Sequence, residues 1–485
     1  MIATTKRSER MNKYKKLAVN TVIFAIGSFS SKIFSLLLNN LYTRHISPAG
    51  FYTKTLLETM ALFLLPVFTF SLTEAIVRYG LDKNYDKKQV FTTASIISLS
   101  GLAAMLLAVP LLRLIPFLRP IKGYTLLLGI YVCTSAIRSI CSQFVRARGM
   151  VKLFALDGII TTFTLFIFNL IFIAGLELGV RGFMISTILS DACSAILLTL
   201  AAGLGRFFDI SSFSRPLGKK MLSFSLPLIP TSIMWIFTGF SDQIFIGNLK
   251  SDHVQLGEDA AGIYSAAAKI PNLISMISTI FFQAWNMSAI TENDSKDRDI
   301  FYAKVYSAYE SILFISAAGL ILLVKPISAI LINYSTFPEY SRAYLYTPLL
   351  IAAAVFTCFD LFLSSIYTAT QHTKNAFFTI LLACIANIIL NICIIPEWGI
   401  QGAALTTFLS YLLCYCIRMI DARYYVPFRF SAGKNVMNTG LLLTMCAVGI
   451  FRPAGNMLWL TMLAAAIVFL NYGALLTTVK KLIKR

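Results

Sequence analysis

The chain has 485 residues, of which 57% are hydrophobic and only 13% charged, a balance outside that of soluble domains, so most of it needs apolar surroundings. That points to a polytopic membrane protein rather than a soluble enzyme. The formal net charge of +20 does not indicate a nucleic-acid partner, because the Lys and Arg residues collect in alternate short connections.

Apolar segments of about 20 residues, enough to cross the hydrocarbon, are expected near residues 17–42, 54–77, 91–112, 123–145, 153–176, 181–204, 221–248, 261–290, 302–324, 343–368, 375–395, 399–420, 436–452 and 456–478. This is an all-α fold of about fourteen transmembrane helices, with connections too short to hold a catalytic domain. The leading run KRSERMNKYKK has the charge of a signal-peptide n-region. The helix after it is too long and lacks a small-residue cleavage site, so the segment is expected to be retained. The excess of Lys and Arg on alternate loops places both termini in the cytoplasm of a plasma or inner membrane. The nine cysteines lie almost wholly in apolar segments and read as packing residues.

The chain contains a unit twice. Gly179-Val180-Arg181-Gly182-Phe183 aligns with Gly399-Ile400-Gln401-Gly402-Ala403, and the run continues to Ser190 and Ser410; SQFVRARGMVK aligns with SSIYTATQHTK; Ala49-Gly50-Phe51-Tyr52 aligns with Ala261-Gly262-Ile263-Tyr264. The expected organisation is a basic N-terminus (1–16), an N-lobe of helices 1–6 (17–204), a cytoplasmic loop (205–220), a C-lobe of helices 7–12 (221–420), a second loop (421–435), and two appended helices with a basic C-terminus (436–485). Six helices per copy make the repeats parallel, which in transporters sets the binding site between halves that rock in alternating access.

The run SLPLIPTSIMWIFTGFSDQIFIG followed by AAGIYSAAAKI, and Arg44-His45-Ile46-Ser47-Pro48-Ala49-Gly50-Phe51-Tyr52 in the first half, resemble the polysaccharide-transport branch of the multidrug/oligosaccharidyl-lipid/polysaccharide exporter superfamily, whose fold is MATE-like. Gln243 departs from the Arg or Lys that the family often carries after the aspartate. The resemblance implies a Wzx-like flippase. Its cargo would be an undecaprenyl-diphosphate-linked oligosaccharide, moved from the inner to the outer leaflet for surface or cell-wall polysaccharide export.

Such a cargo carries a diphosphate and a polar glycan, and both need a wet cavity with cations and polar or aromatic walls. Lys32, Lys54, Arg138 and Lys269 are the candidate cavity cations, with Arg44 added by the resemblance. Lys32 lies too deep in helix 1 to reach an interface easily. Each has a structural alternative: Lys54 sits one turn from Glu58, Arg138 can neutralise Asp157 or Asp191, and Lys269 can pair with Asp242. Asp242, Asn387, Asn391 and Thr407 are oxygen donors of the kind hard cations take. Related lipid flippases hold sodium with helices 7, 11 and 12, while a hydrogen-bond network is the structural alternative. Glu310 and Asp360 are candidates for proton exchange. No cofactor is expected beyond coupling to Na+ or H+.

Among other functions, a multidrug antiporter of the same fold would be expected to hold a carboxylate in helix 1, where this chain has Lys32. A peptidoglycan lipid-precursor flippase would handle the same diphosphate. A polysaccharide polymerase or glycosyltransferase needs a loop with acidic metal ligands. The best candidate, ENDSKDRD, reads as a solvated turn, and His45, His253 and His372 are scattered. The chain is therefore expected to be a monomeric, non-enzymatic transporter whose partners are the lipid-linked glycan, membrane lipids and polysaccharide assembly proteins.

Overall fold

The structure, a computed structural model, describes residue 34 and residues 36–82, 84–291, 298–370 and 372–483. Among them there are helices and no strands. Eleven stretches are long and apolar enough to cross a bilayer. The expected count of about fourteen differs from this at three places. Most of helix 1 lies outside the described residues. The segment expected at 261–290 is broken ahead of Asn272 by Pro271, which cannot donate the next helical hydrogen bond. The segments expected at 375–395 and 399–420 run together as one helical stretch kinked at Gly399.

Two compact units divide the chain. The first holds residues up to Ile46 and Thr53–Ile236. It comprises α1 (36–45), most of α2 (Pro48–Phe68), α3 (Leu72–Leu81), α4 (Lys87–Ala108), α5 (Thr125–Ala147), α6 (Val151–Asn169), α7 (Gly179–Ala202), α8 (Arg215–Ser225) and the start of α9 (Leu228–Asn248). Its core gathers α3, α4, α5, α7 and α8 around Phe91 and Phe144, whose rings lie 4.5 Å apart. The connection 205–220 is tied down by Lys88 Nζ donating to Asp209 at 2.7 Å. That contact, with the Ser211 hydroxyl and N–H, holds the exposed Asp209 carboxyl well below the usual carboxylate range.

The second unit holds Ser47–Tyr52 and Phe237 onward. It comprises the rest of α9, then α10 (Glu258–Ala267), α11 (Asn272–Thr291), α12 (Arg298–Leu322), α13 (Val324–Leu331), α14 (Ala343–Ala369), α15 (Thr373–Tyr425), α16 (Ala432–Phe451) and α17 (Asn456–Ile483). Aromatic side chains pack its core: Trp285 stacks on Phe362 at 4.7 Å and Phe281 on Tyr309 at 4.1 Å. Such pairs contribute about 0.5–1.5 kcal/mol each beyond area burial. The Trp285 indole N–H is satisfied by Ser365 at 2.7 Å. The final two helices are joined by Asn438 and Asn471, both buried, whose amides exchange hydrogen bonds at 3.3 and 2.8 Å, a polar link of the kind that holds helices together in lipid.

The repeat read from the sequence has a local structural counterpart. Gly179 and Gly399 both take a positive φ, +51° and +58°, which a side chain would strain. Three residues on, Gly182 and Gly402 both press against backbone: an added Cβ would lie 2.8 Å from Phe172 O in one and 2.9 Å from Ile394 O in the other. Gly262, in the second copy of the Ala-Gly-aromatic motif, is tighter still, since its added Cβ would lie 1.8 Å from Pro48 O. Backbone cannot yield as a side chain can, so Gly262→Ala is expected to destabilise the second unit by about 1–3 kcal/mol or more, the cost of overpacking. Thermal melting of the purified protein reads this directly, and an unchanged midpoint would refute the close approach.

Candidate functional site

In the second unit the middle of α9 turns Asp242 inward, to 2% exposure. Four neutral donors converge on its carboxylate. Asn391 Nδ2 donates to Oδ1 at 2.7 Å and Asn387 Nδ2 to the same oxygen at 3.2 Å. The Tyr264 hydroxyl donates to Oδ2 at 2.7 Å, and the Thr407 hydroxyl also donates to Oδ2. A second layer fixes the amides: Ser241 donates to Asn387 Oδ1 at 2.6 Å, and Thr406 to Asn391 Oδ1. Asn387 and Asn391 stand one helical turn apart on α15, so their side chains share a face. The structure thus brings together all four residues read from the sequence as an oxygen cage. The sequence reading missed Tyr264, Ser241 and Thr406 as members. Ser241 and Thr406 adjoin Asp242 and Thr407 in sequence, and Tyr264 stood in the family-like motif, so proximity was the available signal.

The set suits a small hard cation. Asp242 brings a full charge, and rotating the two amides would turn their oxygens toward the carboxylate with Thr407 and Tyr264 beside them. In the orientation described, the amide N–H groups occupy that direction instead, and the carboxylate is satisfied by hydrogen bonds alone.

In the first unit Arg138 of α5 reaches two acids. Its guanidinium lies 3.6 Å from Asp157 Oδ2 on α6 and 3.5 Å from Asp191 Oδ1 on α7, and its Nε donates to Ser194 at 3.1 Å. Asp157 also accepts from Ser142 at 3.3 Å and from Ser194, and Asp191 accepts from Ser135. Arg138 is 30% exposed while Asp157 is 2%, so the acids form the floor and the guanidinium the rim. Lys54 is seated against Glu58 at 2.7 Å, with the rings of Tyr42 and Phe183 centred 4.5 and 4.6 Å from its ammonium. Pairing of both kinds satisfies a buried cation and lowers the cost of holding it away from water.

The remaining sequence candidates are dispersed. Lys32 lies outside the described residues. Arg44 is exposed, and Lys269 is half-buried at the break between α10 and α11. Glu310 of α12 is buried and accepts from Asn435 of α16 at 3.0 Å. Asp360 of α14 is wholly buried, and neither carboxylate oxygen has a hydrogen-bond partner among the described residues. Beside it lies Arg418, 1% exposed, which donates to Asp360 O at 2.8 Å, Thr379 Oγ1 at 2.9 Å and Ala376 O at 3.1 Å. Sequence reasoning passed over Arg418 because it stands near the end of an apolar segment, where a basic residue reads as a topology signal.

The repeat connects the two charged clusters. Arg138 and Asp360 are 222 residues apart, as are Asp157 and Thr379, while Ser194 and Cys414, and Leu198 and Arg418, are 220 apart. These are the offsets of the repeated motifs. Each unit therefore carries a charged cluster on equivalent helices, but with the signs exchanged: a guanidinium on α5 facing acids in the first, and an acid on α14 facing a guanidinium in the second.

Residues 17–286 match a family model described as polysaccharide biosynthesis protein. Among curated protein sequences none is significantly similar. Among solved structures the chain resembles the lipid II flippase MurJ in an inward closed conformation, with a TM-score of 0.63 at 16% identity over 95% of this chain and 100% of that one. It also resembles an inward-facing multidrug resistance MATE family transporter of the MOP superfamily, with a TM-score of 0.62 at 16% identity over 83% of this chain and 98% of that one. A point mutant of the Vibrio cholerae MATE transporter VcmN gives 0.59 at 14% identity, over 84% of this chain and 97% of that one. Identities this low establish the fold alone, the one these transporters share.

Proposed function

The chain belongs to the polysaccharide biosynthesis protein family, and from that premise we propose that it flips an undecaprenyl-diphosphate-linked oligosaccharide from the inner to the outer leaflet by alternating access, supplying surface or cell-wall polysaccharide. The observation that carries this reading is the family match over 17–286 on a MOP-type membrane fold. Lys32, Lys54, Arg138, Lys269 and Arg44 are the cations proposed to meet the diphosphate, since moving a double negative charge through hydrocarbon requires compensating charge along the way. For Lys54 and Arg138 the acids already beside them are then the partners that a phosphate displaces.

Directional transport needs a driving ion or a sink. We assign the ion to the Asp242 cluster, where Na+ would be taken by the carboxylate and the Asn387, Asn391 and Thr407 oxygens. Glu310 and Asp360 are the secondary candidates, for H+.

Deleting the gene is expected to leave polyprenyl-diphosphate glycan accumulating on the inner leaflet, and extraction of the lipid pool with leaflet-selective labelling reads this. Accumulation of a peptidoglycan precursor instead would assign the chain to that cargo, and no accumulation of either would refute the flippase reading.

A further inference from the structure

A cavity of about 910 Å³ opens at one end of the second unit. Its walls come from the connection between α9 and α10, the stretch before α14, and the bend of α15 at Gly399. Ser47 and Pro48, at the start of α2, add a fourth sequence-distant segment to the wall. Ser251 donates to Pro396 O, and Asp259 Oδ1 accepts from Ala49 N at 3.1 Å. With a cytoplasmic N-terminus, as the charge bias expects, all three connections fall on the extracytoplasmic side.

The lining has an unusual chemistry. Trp398, 62% exposed, and the half-buried Phe337 both line it, giving flat apolar faces. Asp259, Glu339 and Arg342 are the charged members of the wall, and among the described residues neither Glu339 nor Arg342 forms an ion pair. Gln401 donates its amide N–H to Leu345 O at 2.8 Å, but its Oε1 has no partner among the described residues. Two acids against one base disfavour a diphosphate, and a guanidinium in the wall disfavours a cationic drug. Flat rings and planar polar side chains in one wall suit a polyhydroxylated ring, whose C–H face lies on an aromatic surface while its hydroxyls donate to carboxylates and accept from a guanidinium. A volume of this size accommodates several sugar residues.

We propose that this cavity is an extracytoplasmic binding site for the oligosaccharide portion of the cargo, holding the glycan as it leaves the transport pathway. The inference rests on the flippase reading and extends it from a lipid headgroup to sugar recognition. The site selects by glycan shape, independently of the diphosphate.

The test uses the full-length protein in nanodiscs and the glycans released by mild acid from the polyprenyl-diphosphate pool of cells that make it. Saturation-transfer NMR is expected to show contact with these sugars, reduced at least fivefold in Trp398→Ala and in Glu339→Gln. Both positions are exposed, so the variants should elute as the wild type does, and having two guards against a folding defect in either. Sugar signals equal in wild type and both variants, or absent from the wild type, would overturn the proposal and leave Trp398 as an interfacial aromatic. Failure of the flippase reading is seen separately, in a deletion strain that accumulates no lipid-linked glycan.

Discussion

Asp242→Asn is expected to lower export about 100-fold while leaving the protein at its normal level in the membrane. The two expectations separate because asparagine has the shape of aspartate and can satisfy the same neighbours. Its Oδ1 can take the place of the oxygen that accepts from Asn387 and Asn391, and its Nδ2 can donate to the hydroxyl oxygens of Tyr264 and Thr407, which turn to accept. The hydrogen-bond network therefore survives and only the charge is removed. A site that worked as structural glue would tolerate the change, whereas one that binds a cation through its single carboxylate would not. The measurement is glycan export in a complemented deletion strain, with membrane protein quantified alongside. Reconstituted wild-type protein should also respond to Na+ over a concentration range in which the variant does not. Full export by Asp242→Asn would exclude cation coupling at this position.

Arg418→Met is expected to be among the most destabilising single changes in the second unit, by about 3–5 kcal/mol, the usual cost of removing one member of a buried charge pair. Arg418 is 1% exposed and Asp360 is 0%. The guanidinium neither reaches solvent nor forms a direct hydrogen bond with the Asp360 carboxylate, whose two oxygens have no such partner among the described residues. The arginine compensates the acid by proximity. Without it, an ionised Asp360 loses the cation beside it, and the protein must unfold locally or protonate the carboxyl. The double variant Asp360→Leu, Arg418→Met is then expected to recover much of the loss, with a coupling of about 1 kcal/mol or more. Melting temperatures of the two single variants and the double in detergent decide it. Strict additivity would mean that the two residues do not sense each other.

Much of the architecture was readable before any coordinates, because lipid makes demands that sequence cannot conceal: long apolar runs, charges on alternate loops, and glycines where helices must turn or touch. Gly179 with Gly399, and Gly182 with Gly402, carried the repeat in the sequence and behave alike in the structure. The Asp242 cluster was partly readable for a related reason, since an acid and a pair of asparagines one turn apart are costly in an apolar segment and must meet partners. What escaped was information about neighbours. Tyr264 and Thr406 were marked only by their place beside residues already singled out, and their membership depends on which faces three helices present to one another. The same holds for Lys54: its spacing to Glu58 was visible, but its seat between Tyr42 and Phe183 joins positions more than a hundred residues apart. Arg418 was missed for the opposite reason, because topology rules count basic residues near helix ends without asking whether they turn inward.

The exchange of sign between the two charged clusters bears on how a duplicated chain avoids mistaking one half for the other during assembly. A chain of two similar bundles invites α5 to settle among the helices meant for α14, or the reverse, and apolar surfaces alone would do little to forbid it. Here α14 in the wrong socket would bring Asp360 to Asp157 and Asp191, and α5 in the wrong one would bring Arg138 to Arg418. Each error sets like charges together in a medium that screens them weakly. The misassembled bundle is thus penalised at both ends of the exchange, and correct pairing becomes the arrangement in which Arg138 and Arg418 each lie near an acid.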